Sequence, residues 1–313
     1  MKIFVTGVNG QLGFELVKEL IGRGMECIGS DIQDAFCRDM VPFCDEFAKN
    51  GGTFQYLKLD ITDSEAVEKT ILGLGTEAVI HPAGWTAVDA AEDPENVPKV
   101  YAVNETGTSN LAKTCKKTGS KMIFISTDYV FDGSGEKPWD PDCRDYNPLS
   151  VYGSSKLAGE KAVSETLDKF FIVRISWAFG LNGNNFVRTM LRVAENHDEV
   201  RVVDDQIGTP TYMRDLAVLL SDMIMTDKYG YYHASNEGGY ISWYDFTKEI
   251  YRQAGINTRV VPVSTAEYGV SKARRPMNSR LDKSKLEKNG FKRLPDWRDA
   301  LKRYIEELKI SQK

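Results

Sequence analysis

Apolar positions along this chain follow two alternating rhythms. Short runs rich in β-branched residues are separated by longer stretches with a 3.6-residue apolar period, the pattern of strand–helix–strand units in a parallel sheet. The runs predict strands at Lys2 to Thr6, Glu26 to Gly29, Phe54 to Leu57, Ala78 to His81, Lys121 to Ser126 and Phe171 to Ile175. Leu12, Leu16, Val17 and Leu20 predict a helix from Gln11 to about Gly22, and further helices are expected over Ser64 to Leu72 and Val97 to Thr118. The expected fold class is therefore α/β, a doubly wound parallel sheet of six or more strands. Beyond Trp177 the alternation loosens. Pro210, Pro262, Pro276 and Pro295 punctuate shorter elements before an amphipathic helix from about Asp296 to Leu308. The expected division is a sheet domain over 1–175, joined by part of 206–236, and a smaller C-terminal α/β lobe over most of 176–313. The segment from Asp34 to Thr53, ending Asn50-Gly51-Gly52, fits nothing beyond a short helix on an insertion.

Composition narrows the function. With 313 residues, 42% hydrophobic and 27% charged, the chain is neither disordered nor collagen-like. Lys and Arg total 40 against 45 Asp and Glu, and the net charge of -5 repels a phosphate backbone, so no nucleic-acid partner is expected. No apolar stretch approaches the roughly 18 residues that cross a bilayer. Met1-Lys2-Ile3-Phe4-Val5 runs straight into a glycine turn with no room for a signal peptide, so a cytoplasmic protein without membrane contact is expected. Five cysteines (Cys27, Cys37, Cys44, Cys115, Cys143) form no Cys-x-x-Cys pair and read as reduced thiols. His81, His197 and His233 are too dispersed for a metal site by local spacing, and no spacing supports Mg²⁺.

Thr6-Gly7-Val8-Asn9-Gly10-Gln11-Leu12-Gly13 follows the first strand and opens the first helix. There a dinucleotide pyrophosphate meets unpaired backbone N–H groups and the positive end of a helix dipole. Gly7 permits the tight turn, Gly10 lets the backbone approach the phosphates and Gly13 lets the helix pack close to the sheet. Asn9, Gln11 and Leu12 complete the expected cofactor cradle. An ordinary strand–helix turn is the alternative; the position after the first strand and the carboxylate of Asp31 favour the cofactor. Asp31, 18 residues beyond Gly13, can accept hydrogen bonds from the adenosine ribose hydroxyls, which favours NADH slightly over NADPH. Ile32-Gln33-Asp34 brings no cation for a 2′-phosphate, and Arg23 and Arg38 are unplaced. Asp60 and Ile61 can flank adenine, or Asp60 or Thr62 can cap the next helix. On these residues the first domain reads as a dinucleotide-binding Rossmann domain and the second lobe as mostly substrate-binding.

Tyr152-Gly153-Ser154-Ser155-Lys156 sets a phenol and an ammonium one helical turn apart on one face. The cation is expected to favour the phenolate and draw its pKa, ordinarily near ~10, towards working pH, as general acid–base chemistry requires. Lys156 can also hold a ribose. Ser126-Thr127-Asp128 closes the fifth strand, where Thr127 can hydrogen-bond a substrate carbonyl in the same crevice. Alone, these are commonplace surface neighbours and a commonplace turn. Joined to the glycine turn, they point to catalysis.

These motifs resemble the extended short-chain dehydrogenase/reductase family. Longer blocks resemble, in order, those of the dTDP-4-dehydrorhamnose reductases over nearly the whole chain. They are Thr86-Ala87-Val88-Asp89, Ser126-Thr127-Asp128-Tyr129-Val130-Phe131-Asp132-Gly133, Asn147-Pro148-Leu149-Ser150-Val151-Tyr152-Gly153 and Lys156-Leu157-Ala158-Gly159-Glu160. Further along come Arg174-Ile175-Ser176-Trp177, Gly183-Asn184-Asn185-Phe186-Val187, Asp205-Gln206-Ile207-Gly208-Thr209-Pro210-Thr211 and Arg274-Arg275-Pro276-Met277-Asn278-Ser279-Arg280-Leu281. The resemblance implies reduction of the C4 ketone of dTDP-4-dehydro-L-rhamnose to dTDP-L-rhamnose, with hydride from NADH or NADPH, either of which the family accepts. It implies Tyr152 as proton donor, Lys156 as its activator and ribose ligand, and Thr127 as the hydroxyl that orients the carbonyl. It also implies Trp177 stacked on the base, Thr86, Val88, Asp128 and Tyr129 near the sugar, Ala83 beside the nicotinamide, and Asn104 as a support of the site. A flat side chain after a strand can cover thymine or fill a core. Asn104 can equally be a satisfied polar group in a helix. Arg274 and Arg275 suit substrate phosphates or a solvated charge pair. His81-Pro82-Ala83-Gly84-Trp85 departs from the family's usual Asn, small residues and then Tyr or His, and the 34–53 segment is longer than the family's.

Rival readings remain. A dehydratase of this superfamily needs a Glu where Tyr129 stands, a poor match for that proton transfer. An epimerase, or a reductase of another nucleotide-linked 4-keto sugar, is harder to exclude. A non-catalytic regulatory homologue would keep the fold, but the joint presence of Thr127, Tyr152 and Lys156 argues for turnover. Exposed helices of the first lobe offer a surface for a homodimer.

Overall fold

The computed structural model describes residues 1–36 and 50–311. The insertion expected between Asp34 and Thr53 lies largely outside the described residues. Six strands fall within two residues of their expected bounds: β1 (Lys2–Thr6), β2 (Glu26–Asp31), β3 (Thr53–Lys58), β4 (Ala78–His81), β5 (Lys121–Thr127) and β6 (Phe170–Ile175). A seventh, β7 (Gly230–His233), pairs with β6. The sheet is parallel throughout, in the order β7-β6-β5-β4-β1-β2-β3. The order reverses between β1 and β4, which opens a crevice at the carboxyl ends of those two strands.

Strand alternation sorts the core into two layers. Ile3, Val5, Ala78, Ile80, Ile123 and Ile125 meet α1 (Gln11–Gly22) and α7 (Met213–Met223), through Leu12, Leu16, Leu20, Leu216 and Leu220. Phe4, Val79, Met122 and Phe124 face the other way. They meet Val67 and Ile71 of α2 (Ser64–Leu74), and Leu111 and Cys115 of the helix that precedes β5. That helix, expected over Val97 to Thr118, is continuous but changes pitch: α3 (Val97–Tyr101) leads into a π segment at Ala102–Gly107 and then α4 (Thr108–Thr118). Behind β5 and β6 lies α5 (Val151–Ser164), opened by a Ser150 hydroxyl that accepts from Gly153 N (3.1 Å).

The second lobe has its own core. Phe179, Val200, Tyr212, Phe246, Trp297 and Tyr304 join α6 (Phe186–Ala194), α8 (Trp243–Ala254) and α9 (Trp297–Ser311) to the parallel pair Glu199–Val203 and Arg259–Val263. Between its elements the chain returns through α7 and β7 to the first sheet, so the two lobes share a wall at the crevice.

Candidate active site

A cleft of about 930 Å³ occupies the crevice. Its floor is the turn after β1, where Gly7 takes φ +62°, a conformation that favours glycine. A Cβ on Gly7 would stand 2.9 Å from Ala83 Cα, and one on Gly13 only 2.1 Å from the Gly7 carbonyl oxygen. No side chain caps α1, whereas Asp63, Ser150, Asn185 and Ser242 each cap their helices. Its first-turn N–H groups therefore face the cleft as an anion seat. Asp31 lines the same end, and its Oδ2 accepts from Asn9 N (3.1 Å). Asn9 itself lies outside the lining, its amide donating to Gln33 and the Ala35 carbonyl, while Gln11 and Leu12 are inside. Asp60 and Ile61 also line this end. Asp60 Oδ1 accepts from Thr62 N (2.9 Å), and it is Asp63 that caps α2. Glycines that any Cβ would block, an uncapped helix and a carboxylate at the end of β2 together fit a dinucleotide.

The register of β5 and β6 sets Thr127 opposite Ile175, two residues before Trp177. Thr127 Oγ1 donates to Asp128 Oδ1 (3.0 Å) and accepts from Tyr129 N (3.2 Å). From α5, Tyr152 meets Tyr129 edge-on, with ring centroids 5.5 Å apart. One turn on, Lys156 Nζ donates to the Ile125 carbonyl (2.6 Å) and lies 4.1 Å from the centre of the Phe124 ring. The expected lowering of the phenol pKa is overturned. Burial pushes Tyr152 up to about 12, with Asp128's charge adding and a Thr127 hydrogen bond opposing. Burial likewise pushes Lys156 down to about 7, against the pull of Glu160. Desolvation, invisible in the spacing, sets both directions, and Lys156 is not among the groups that act on the phenol. Asp128 is pushed up to about 6 by burial, against hydrogen bonds from the Ser279 and Thr127 side chains.

Ala83, Thr86, Val88 and Asp89 line the cleft from the loop after β4. Asn104 does not. It sits behind that loop in the π segment, accepting from Trp85 N (2.8 Å) and donating to the Trp85 carbonyl (3.2 Å) and Ser155 Oγ (2.9 Å). Its place is thus as a buried brace between the loop and α5, behind the site and not among the residues that would touch a substrate. His81 is a core residue between Thr6 and Thr108, held neutral because burial and the nearby Lys156 push it down to about 3.

At the far end Trp177 adopts φ +51°, the one non-glycine residue in that region among the described residues. Its ring stacks on Trp243, centroids 3.7 Å apart and planes 16° from parallel, and a Cβ on Gly208 would stand 2.8 Å from the indole. Trp243 begins α8 and is itself packed on Phe186 (4.4 Å). Trp243, Phe186, Arg201, Gln206 and Asp89 all line the cleft; Trp243 and Arg201 escaped sequence reasoning altogether, while Asp89, Phe186 and Gln206 stood in family-like blocks without an expected role. Arg275 lines the cleft and is paired to Asp89 (2.9 Å), but Arg274 is exposed and outside the lining, which corrects its expected contact with phosphate. Among the described residues no three His, Cys, Asp or Glu side chains gather as a metal would require, and no helix is long and apolar enough to cross a membrane.

The RmlD substrate binding domain model matches residues 1–310. Spore coat polysaccharide biosynthesis protein SpsK of Bacillus subtilis (strain 168) is 36% identical over 306 residues, covering 98% of this chain and 97% of that protein. The dTDP-4-dehydrorhamnose reductase of Escherichia coli (strain K12) is 35% identical over 320 residues, covering 98% of each. The crystal structure of a dTDP-4-dehydrorhamnose reductase from Clostridium acetobutylicum ATCC 824 superposes with a TM-score of 0.87 at 39% identity, covering 99% of this chain and 100% of that one. That of the Bacillus anthracis str. Ames enzyme, in complex with NADP, gives 0.84 at 37% identity, covering 98% and 100%. With a glycine cradle, a Thr–Tyr–Lys group and matched relatives along nearly its full length, the chain belongs to the RmlD substrate-binding-domain family of oxidoreductases.

Proposed function

We propose that the protein reduces the C4 ketone of dTDP-4-dehydro-L-rhamnose, giving dTDP-L-rhamnose, with NADH or NADPH. The carrying observation is that one cleft joins the glycine cradle, Thr127, Tyr152 and Lys156, and an indole platform, in a chain whose relatives are named for that reaction. Gly7, Gly10, Gln11, Leu12 and Gly13 would hold the pyrophosphate of the dinucleotide, Asp31, Asp60 and Ile61 its adenosine, and Ala83, Tyr152 and Lys156 its nicotinamide half. When bound, the cofactor supplies the hydride. Asp31 at the ribose end supports a preference for NADH.

The chain's own residues supply the proton. Tyr152 is a phenol at neutral pH, and burial only pushes its ionisation further away, so the proton that the new C4 oxygen takes is in place before the reaction begins. Thr127, anchored by Asp128 and the Tyr129 amide, fixes a hydroxyl where the carbonyl oxygen must lie. Lys156 offsets the charge left on the phenol oxygen once its proton has gone. Trp177, backed by Trp243, takes the face of the thymine, Arg275 the diphosphate, and Thr86, Val88, Asp128 and Tyr129 the sugar. Tyr129 offers no carboxylate for dehydration.

The test is oxidation of NADH, and separately NADPH, by the purified protein while dTDP-4-dehydro-L-rhamnose is generated in place, with a control lacking the upstream epimerase. Consumption only in the complete mixture, faster with NADH, is expected. Cofactor binding without consumption of either would overturn the reading. Tyr152→Phe should lower kcat by about 10²–10⁴-fold and leave NADH affinity within about twofold; near-normal turnover would remove Tyr152 from the proton step.

A further inference from the structure

Residues 265–275 cross the mouth of the cleft from one lobe to the other. The crossing starts at Thr265, whose N–H donates to both Asp205 oxygens (3.0 and 2.9 Å) and whose hydroxyl donates to Asp205 Oδ1 (2.6 Å). One helical turn, Thr265–Tyr268, ends on Gly269 at φ +63°. The chain then lands on the loop after β4. There Asp89 accepts from Ala273 N (3.0 Å), Arg275 Nη1 (3.1 Å) and Arg275 Nη2 (2.9 Å), and Lys272 pairs with Asp93 (2.8 Å). Between the two anchors, Tyr268, Val270 and Ser271 line the cleft, yet Val270 is 74% and Tyr268 43% exposed.

Two features turn this from packing into a device. First, the landing is polar and half-solvated: Asp89 is 45% and Arg275 25% exposed, so the pair contributes little to folding and can open without unfolding either lobe. Second, Asp89 occupies one edge of the Arg275 guanidinium, and a guanidinium carries five donors, so the remaining N–H groups keep a fixed direction for a second anion. Both charges also act on Tyr129, which touches Tyr152, so the landing lies next to the reacting end.

We propose that Asp89 is a cross-cleft positioning residue: it clasps the 268–275 strap over the sugar-nucleotide half of the cleft and presets Arg275 for the substrate diphosphate. This rests on the reading of that half as a dTDP-sugar site. Opening admits the nucleotide; closure buries its diphosphate beneath Val270 and Tyr268 and excludes water from the reacting carbonyl.

The experiment compares the full chain with Asp89→Ala, Asp89→Asn and Lys272→Ala by backbone hydrogen exchange over 268–275, with and without dTDP. It adds KM and kcat for the sugar nucleotide and the Kd for NADH. In Asp89→Ala, exchange at 270–275 should rise about tenfold, the loss of a charged hydrogen bond, and the protection conferred by dTDP should fall likewise. KM should rise about tenfold or more with NADH affinity within about twofold and an unchanged melting temperature. Asp89→Asn keeps the shape and one neutral acceptor but loses the charge and the second oxygen that holds Arg275 bidentate, and should approach Asp89→Ala in KM while recovering part of the Ala273 protection. Lys272→Ala, outside the cleft, should loosen the strap with a smaller rise in KM. Unchanged exchange at 270–275 in both Asp89 variants, or equal losses of sugar-nucleotide and NADH affinity, would overturn the clasp. Hydrogen exchange under dTDP needs no turnover, so an inactive parent with a strap that Asp89→Ala loosens would refute the reductase reading and leave the clasp standing.

Discussion

Lys156 offers a direct test of how burial governs this site. Its side chain is 6% exposed, and burial pushes the ammonium from 10.5 down to about 7 despite the Ile125 carbonyl and the Phe124 ring. At ~1.4 kcal/mol per tenfold change in proton affinity, that gap withholds about 5 kcal/mol from the folded state wherever both states are charged. Below about pH 7 the whole penalty applies. Between 7 and 10.5 the folded chain gives up a proton that the unfolded chain keeps, so stability rises by up to about 1.4 kcal/mol per pH unit; above 10.5 the penalty is gone. Lys156→Met removes the charge at similar length and costs about 1–2 kcal/mol for the orphaned Ile125 carbonyl. The variant should therefore exceed its parent by about 3 kcal/mol at pH 6–7, and the two stability curves should cross between about pH 9 and 10. Urea unfolding of both chains without nucleotides, from about pH 6 to 10, measures the difference and cancels the groups they share. A difference that does not change with pH, or a parent more stable at pH 7, would refute the reasoning. Turnover should be lost in either case.

Two further substitutions probe the same packing. Glu160→Ala leaves Arg174, which is 0% exposed and held by Glu160 at 2.7 Å, without its counter-charge, and should cost about 3–5 kcal/mol in urea unfolding. It also removes the charge that holds Lys156 up, so the limb of the pH profile that reports Lys156 should move to lower pH. Trp243→Ala strips the backing from Trp177 and should weaken dTDP binding by about five- to tenfold, the worth of one aromatic pair, while NADH affinity stays constant in a fluorescence titration.

What could be read from the sequence is what neighbours along the chain decide. The inner strands β1, β4, β5 and β6 are buried on both faces, so they appear as nearly unbroken apolar runs, and the glycine turn lies within one β–α unit. Tyr152 and Lys156 are one helical turn apart and need only a helix to meet. The parts that escaped are decided by tertiary approach. Trp243 meets Trp177 from another helix, and Asp89 meets Arg275 from the other lobe, with no spacing to announce either. Arg274 and Arg275 are chemically identical neighbours, and only the folded segment assigns one to the cleft and the other to solvent. Asn104 reads as an active-site residue, yet the π segment carries it behind the loop it braces. The phenol's direction of shift was misread for the same reason: spacing displays the cation but not the loss of water around both groups.

That loss of water joins the stability penalty to the proposed chemistry. A phenol at about 12 beside a lysine at about 7 is, at neutral pH, a proton-loaded acid next to a base that is only partly charged. When Tyr152 gives its proton to the new C4 oxygen, a phenolate appears where burial disfavours charge most. In the proposed reaction, a phenolate formed one helical turn from Lys156 would raise the lysine's proton affinity, and Lys156 would take up a proton from solvent as Tyr152 gives one up. The cation then forms only when there is an anion to meet it, and a site too dry for a permanent charge carries a balanced pair. A fully hydrated lysine would already be charged, would cost nothing to fold around, and would gain far less when the phenolate forms, because water would screen it. In the proposed reaction, the energy withheld from folding at Lys156 is thus the resting-state side of the same desolvation that makes a Tyr152 phenolate depend on Lys156 taking up a proton.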